Sequence, residues 1–274
     1  LHITRWTPSH SGSLAPCDVA RLARTQDARF HALAYGCAAP DERRDGVRGK
    51  IMRESLMKWL LDMSEQYRSQ LRQGPFFRQV AGATLPNDLQ WVHQLIHQSR
   101  EFTQALCLRS SLCQDKRYQR VFAEHAVEEA DHPDQLIAWM KEHGFLRDAE
   151  PGDVPATMET LNAISYCWRS AMRDPHDVQV VALNVLSEGV AFDFYSAVIP
   201  VLDRLKILSG RYWKIHTDVD VHHLSMGLDV CGDVTKHSDK GKLYQRVLWQ
   251  SATLYHQMLS SWVGERVQPL PQLA

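Results

Sequence analysis

From Lys50 onward, apolar residues recur at intervals of three and four, as in Met52, Leu56, Trp59, Leu60 and Met63, with polar residues between them. That period matches a helix that buries one face. The same pattern predicts helices over about 86–110, 117–143, 157–172, 177–205, 209–228 and 237–265. Gly74-Pro75, Gly144, Pro151-Gly152, Pro155, Asp174-Pro175, Gly210 and Gly232 punctuate them. Asp174 before Pro175 predicts a helix start, because proline in the first turn gives up an N–H that has no partner there. Nothing resembles alternating strands, and no repeat of fixed period occurs. The prediction is an all-α chain: an arm over residues 1–48, left unassigned apart from a short helix around Val19 to Leu33, then a helical domain over 49–274, a single bundle of about seven helices.

With 274 residues, 44% of them hydrophobic, the chain can bury a large core. Lys+Arg 31 against Asp+Glu 32 leaves a formal charge of -1, so no basic field draws in nucleic acid or anionic membrane, and a small-molecule substrate is the expected partner. No apolar run approaches the roughly 20 residues that span a bilayer. Residues Leu1 to His10 lack the basic start and apolar stretch of a signal peptide. The expectation is a cytoplasmic protein. The six cysteines (Cys17, Cys37, Cys107, Cys113, Cys167 and Cys231) contain no C-x-x-C, so neither a zinc knuckle nor a disulfide framework is expected.

Candidate chemistry changes this picture most in the segment from Tyr212 to His223. At about 100° per residue, His216, Asp220 and His223 share a narrow stripe of one helix face. A solvated polar face would also carry such residues, but Ile215, Val219 and Leu224 flank the stripe, and half-buried imidazoles and carboxylates need partners. His125, Glu129 and His132 repeat the same ligand-type spacing upstream. Glu129-x-x-His132 puts a carboxylate and an imidazole on adjacent turns, as carboxylate-bridged bundles do. Glu128 stands four residues before His132 and competes with Glu129 for the same role. His125 is open to three readings, as a ligand, as a base behind the ligands or as a core histidine, the last being commonest. Pro133 should kink that helix.

Glu188 is a lone carboxylate in the apolar run Val181 to Phe192, expensive there unless paired. Phe192 and Tyr195 share its face and are candidates for the wall of a substrate pocket, as is Trp213 near Asp220. Together Glu129, His132, Glu188, His216, Asp220 and His223 make a mixed N/O set without thiolate, suited to Fe, Mn or Zn. Six such ligands suit two metals sharing a carboxylate, with Asp220 the expected bridge.

In the order and spacing of these motifs, over roughly residues 86–265, the chain resembles the haem-oxygenase-like di-iron oxidases, relatives of the thiaminase-type helical fold. The resemblance implies a haem-oxygenase-like helical fold and two irons that activate dioxygen, in a family whose members hydroxylate amines, cleave carbon–carbon bonds or decarboxylate fatty acids. It leaves room for an external electron donor and a homodimer. Some members use a further upstream glutamate, for which Glu101 is the match. Two alternatives stand beside it. A metal-free hydrolase or cofactor-synthesis enzyme of the same fold would need a reactive thiol, from Cys107, Cys113 or Cys167. A non-catalytic helical binding protein would need neither.

Overall fold

A computed structural model describes residues 57–146, 150–216 and 220–273, without the side chains of residues 220 and 221. The expected arm over 1–48 and its boundary lie outside the described residues, as do Cys17 and Cys37. Helix α1 (Lys58–Arg72) buries Leu60, Met63, Tyr67 and Leu71, the three- and four-residue spacing of its sequence. Gly74 and Pro75 turn the chain into α2 (Pro75–Gly82). Then come α3 (Val92–Leu112), α4 (Lys116–Glu128), α5 (His132–Glu142) and α6 (Met158–Arg173). Helix α7 runs from His176 to Arg204, and the short α8 (Gly210–Ile215) and α9 (Asp220–Ser225) precede the long α10 (Asp239–Trp262). No strand occurs among the described residues, so the all-α expectation holds.

The elements outnumber the seven expected because α2 lies in none of the predicted segments and two of those segments each hold two helices. The 117–143 segment breaks between Glu128 and His132, since Pro133 has no N–H with which to continue the ladder. The 209–228 segment holds two short helices, α8 and α9. Asp174 ends α6, and α7 starts at His176, one residue after the proline expected inside its first turn. Polar caps start three of the longer helices. Asp115 accepts from Arg117 N–H at 3.0 Å, Thr157 from Thr160 N–H at 3.1 Å, and Ser238 from Gly241 N–H at 3.0 Å.

Helix α7 is the spine of the bundle. Its 29 residues are long and apolar enough to cross a membrane by length and composition alone, but 67% of its most apolar window is buried within the protein. Helices α1, α6, α9 and α10 pack around it. Over Val180–Leu186 its turns widen to a π-helix, every residue of which is buried. An aromatic cluster of Phe76, Trp91, Phe194 and Trp262 joins α2, the start of α3, α7 and the end of α10, with Phe76 stacked on Phe194 at 5.4 Å. Gly227, at φ +87°, closes the α9 turn directly on α7; a Cβ there would lie 3.0 Å from Val180.

One buried ion pair fixes α1 against α7. Arg68 Nε and Nη2 donate to the two oxygens of Asp193 at 2.9 and 2.8 Å, and Arg72 Nη1 adds a third bond at 2.8 Å. Arg68 reaches Asp193 by passing over Gly189, where a Cβ would lie 2.8 Å from its Cδ. Removing one partner of such a pair leaves an uncompensated buried charge. Asp193→Ala should therefore lower stability by about 3–5 kcal/mol, read as a shifted denaturant midpoint. A change under about 1 kcal/mol would show that the pair behaves as an exposed one.

Candidate metal centre

The break between α4 and α5 creates the site. Glu129 follows the last residue of α4, its N–H held by the His125 carbonyl at 3.1 Å. Pro133 cannot donate to the Glu129 carbonyl, which instead accepts from His132 N–H at 3.3 Å and from Thr103 Oγ1 at 3.2 Å. Glu129 and His132 thus face the same interior space from either side of the bend. The π-helical stretch of α7 delivers Asn184 and, immediately after it, Glu188. His216 follows α8 and His223 lies within α9.

These side chains converge. His125, Glu129, Glu188 and His223 form one buried group whose ligand-type atoms lie within 4.8 Å of one another, and Glu129, His132 and His216 form a second. Glu129 belongs to both. One of its oxygens lies 2.6 Å from His132 Nδ1 and the other 3.3 Å from His223 Nδ1, which is also 3.7 Å from Glu188. Neither nitrogen has a hydrogen-bond partner despite its burial. Nitrogen and oxygen atoms that approach so closely without sharing an aligned proton are arranged as two ligands of one cation are.

The other contacts of the histidines fix which nitrogen is available. His216 Nδ1 donates to the Tyr212 carbonyl at 2.6 Å, leaving Nε2 with its lone pair. His223 Nε2 donates to Glu128 at 2.7 Å, leaving Nδ1 towards Glu129 and Glu188. Glu128, the rival to Glu129, therefore orients His223 through its far nitrogen. His125 Nε2 lies 2.8 Å from Glu188, and its Nδ1 contacts Arg109 and Asn184.

Electrostatics show how strongly the pocket demands positive charge. Burial opposes a charge on His223, yet Glu128, Glu129 and Glu188 push its pKa up to about 12. Burial also opposes ionisation of Glu129, but His132 and His223 hold its carboxyl well below the usual range. Glu188 is lowered too, with His125 and His223 overcoming its desolvation. His216 is the opposite case: desolvation, then the neighbouring His132, lower it to about 4.

A cavity of about 80 Å³ opens directly on the cluster. Glu129, His132, Glu188 and His216 form its polar end, and Leu95, Phe102, Val190, Phe194, Met258 and Trp262 contribute apolar wall, with Gln98, Ser99 and Tyr255 as neutral polar groups. Tyr195 lines it as expected, its ring stacked on His216 at 3.9 Å between centroids.

The residues matched by a family profile described as iron-containing redox enzyme are 89–256, more than half of the sequence. The chain belongs to the iron-containing redox enzyme family. Among solved structures it is similar to a TenA homologue from Pseudomonas syringae pv. tomato, with TM-score 0.62 and 13% identity over 76% of this chain and 92% of that one. It is also similar to a domain of unknown function with a haem-oxygenase-like fold from Shewanella denitrificans, with TM-score 0.53 and 16% identity over 82% and 93%. These likenesses show the haem-oxygenase-like fold. No curated protein matches.

For a member of the iron-containing redox enzymes the donor set is apt: carboxylate oxygens and imidazole nitrogens suit iron, and two buried imidazole nitrogens face carboxylates outside hydrogen-bond geometry. Of the residues expected from sequence, Glu129, His132, Glu188, His216 and His223 come together. The side chain of Asp220, the expected bridge, lies outside the described residues; among the described residues Glu129 is the one common to the two groups. The stripe expected over 216–223 crosses residues 217–219, which lie outside the described residues; His216 follows α8 and His223 lies within α9.

Three expected residues point elsewhere. Glu101 accepts from Trp168 Nε1 at 2.7 Å, on the α6 side of α3. Phe192 lies against Arg68, 5.8 Å from its guanidinium carbon, because the face of α7 beside Gly189 is occupied by that arginine; Phe194 takes the wall position instead. Trp213 is buried edge-on against Trp139 at 5.0 Å and does not line the cavity. The thiols needed by a metal-free mechanism are also absent from the cavity wall, and burial raises Cys107, Cys113 and Cys167, the last to about 12. Arg109 and Asn184 escaped the sequence reading; the usable signal was a lone asparagine in an apolar helix, one turn before Glu188.

Metal-free protein should be most stable near the ordinary histidine value of 6.5. His223, raised in the fold, contributes stability that is complete below 6.5 and lost as pH climbs towards 12. His216, lowered to about 4, contributes stability present above 6.5 and lost as pH falls towards 4. Thermal melts across pH should show both limbs, with His223→Gln flattening the alkaline one; an unchanged alkaline limb would assign it to other groups. Ferrous iron at 100 times its dissociation constant should stabilise the stripped protein by about 2.7 kcal/mol per site, and no shift in melting temperature would exclude a specific site.

Proposed function

We propose that this protein is a non-haem di-iron oxidase or oxygenase that activates dioxygen to oxidise a small organic substrate. The observation that carries the reading is the carboxylate of Glu129, common to two buried ligand groups and opening on an apolar cavity. Glu129, Glu188 and His223 would hold one iron, and His132 and His216 with the second oxygen of Glu129 the other. Asp220 is proposed to complete the set. Iron bound there would supply one-electron chemistry and open coordination positions for dioxygen.

The chain's own residues perform the remaining tasks. Glu128 and the Tyr212 carbonyl hold the outward nitrogens of His223 and His216, so that His223 Nδ1 and His216 Nε2 are turned inward. Phe194, Met258 and Trp262 keep water from the substrate end of the cavity. Gln98, Ser99 and Tyr255 offer hydrogen bonds without charge, so a substrate would place any charged group at the metal end. Tyr195 Oη and Tyr212 Oη are 2.6 Å apart beside His216, close enough to share a proton at the edge of the site. An external reductant would return the electrons consumed. The small-molecule partner, the absence of a nucleic-acid role and a cytoplasmic setting belong to this reading.

Anaerobic titration of metal-stripped protein with Fe(II), then exposure to dioxygen, tests it. About two irons per chain and an oxygen-dependent visible absorbance are expected, both lost in a His216→Ala and Asp220→Ala double variant. No specific uptake by the parent would sink the proposal.

A further inference from the structure

Four ligand-type side chains surround one half of the centre, and distance alone would admit His125 among the metal's ligands. Its hydrogen bonds argue otherwise. Arg109 is 1% exposed, its guanidinium lies 4.1 Å over the ring of Phe122, and its Nη2 is 2.8 Å from His125 Nδ1. A guanidinium has only protons to offer, so Nδ1 must accept. Asn184 reinforces this: its Oδ1 accepts from Arg109 Nη1 at 2.8 Å, which turns its Nδ2 towards the same Nδ1 at 3.0 Å. With two donors aimed at it, Nδ1 holds a lone pair. A neutral imidazole carries one N–H, and that proton is then on Nε2, 2.8 Å from Glu188 Oε1.

We infer that His125 is a positioning residue which donates Nε2–H to Glu188 and does not ligate the metal, its tautomer being set by the buried Arg109–Asn184 pair. This rests on the metal-centre reading for its functional meaning, but the tautomer stands without it. His216 shows the contrasting pattern, giving its N–H to the Tyr212 carbonyl and keeping a lone pair inward, while Glu128 takes the outward N–H of His223 and turns its Nδ1 to the centre. For His125 to bind a cation through Nε2 it would have to lose its only proton and become an imidazolate. The chain Arg109, His125, Glu188 instead passes a donated proton towards one oxygen of Glu188 and leaves the other, 3.7 Å from His223 Nδ1, turned to the cation position. Such partners behind a ligand typically contribute about 10–100-fold to metal affinity.

The test uses full-length protein labelled with ¹⁵N at the histidine rings, observed by long-range ¹H–¹⁵N correlation in the metal-free and Zn(II)-loaded forms, zinc serving as the diamagnetic probe. His125→Gln assigns the resonance by its disappearance. The expected result is a protonated Nε2 and an unprotonated Nδ1 for His125 in both forms, while zinc shifts His216 and His223. A proton on Nδ1 in the metal-free form, or a His125 Nε2 that loses its proton on zinc loading, overturns the inference. If zinc moves none of the three rings, the metal reading fails while the tautomer is still decided by the metal-free spectrum. Zinc affinity gives the second readout. His125→Gln, which keeps an N–H for Glu188, should stay within about threefold of the parent, and His125→Leu should lose about 10–100-fold. Equal losses in the two variants would contradict a donor role.

Discussion

The structure depends on the cost of keeping Glu129 and Glu188 ionised where water scarcely reaches. Each carboxylate sits in the interior at under a tenth of its full exposure, and an isolated charge there would be expelled or protonated. The chain instead surrounds them with imidazoles from α4, α5, α8 and α9, and the positive charge they require holds four elements to one point. The bend at Pro133, the widened turns of α7 and the short α8 and α9 all serve that convergence. Regular helices through the same positions would keep these side chains on separate faces.

Much of this was legible in the residues. Period alone gave the helices, and Glu188 announced itself as a charge in an apolar helix. Glu129-x-x-His132 was readable because the two ligand types stand three residues apart, and Pro133 marked the bend that brings both to the site. Where contacts depended on tertiary register, the sequence was silent. The choice between Phe192 and Phe194 turns on Arg68 arriving from α1 over Gly189, a neighbour 121 residues upstream by chain number that no local pattern reveals. His125 looked like an ordinary core histidine because its partners are Arg109, 16 residues away, and Asn184, 59 residues away. The stripe from His216 to His223 identified the right residue types on an assumed continuous helix.

The likeness to a TenA homologue at 13% identity shows the fold alone. The same bundle can present an apolar slot or a polar cluster according to what α4, α5 and α7 place inside it. Here the membership in the iron-containing redox enzymes and the paired ligand groups agree, while Cys107, Cys113 and Cys167 do not line the cavity.

Helix α7 carries a consequence of its own. The residue that feeds carboxylate to the metal centre, Glu188, and the residue that anchors the helix to α1, Asp193, are little more than a turn apart on one rigid rod. Sliding the rod by a single residue would move both by about 1.5 Å and rotate them by about 100°. The arginine clamp therefore works as a phase lock: it sets the rotational setting of the helix, and with it the aim of Glu188, through an ion pair whose residues do not line the cavity.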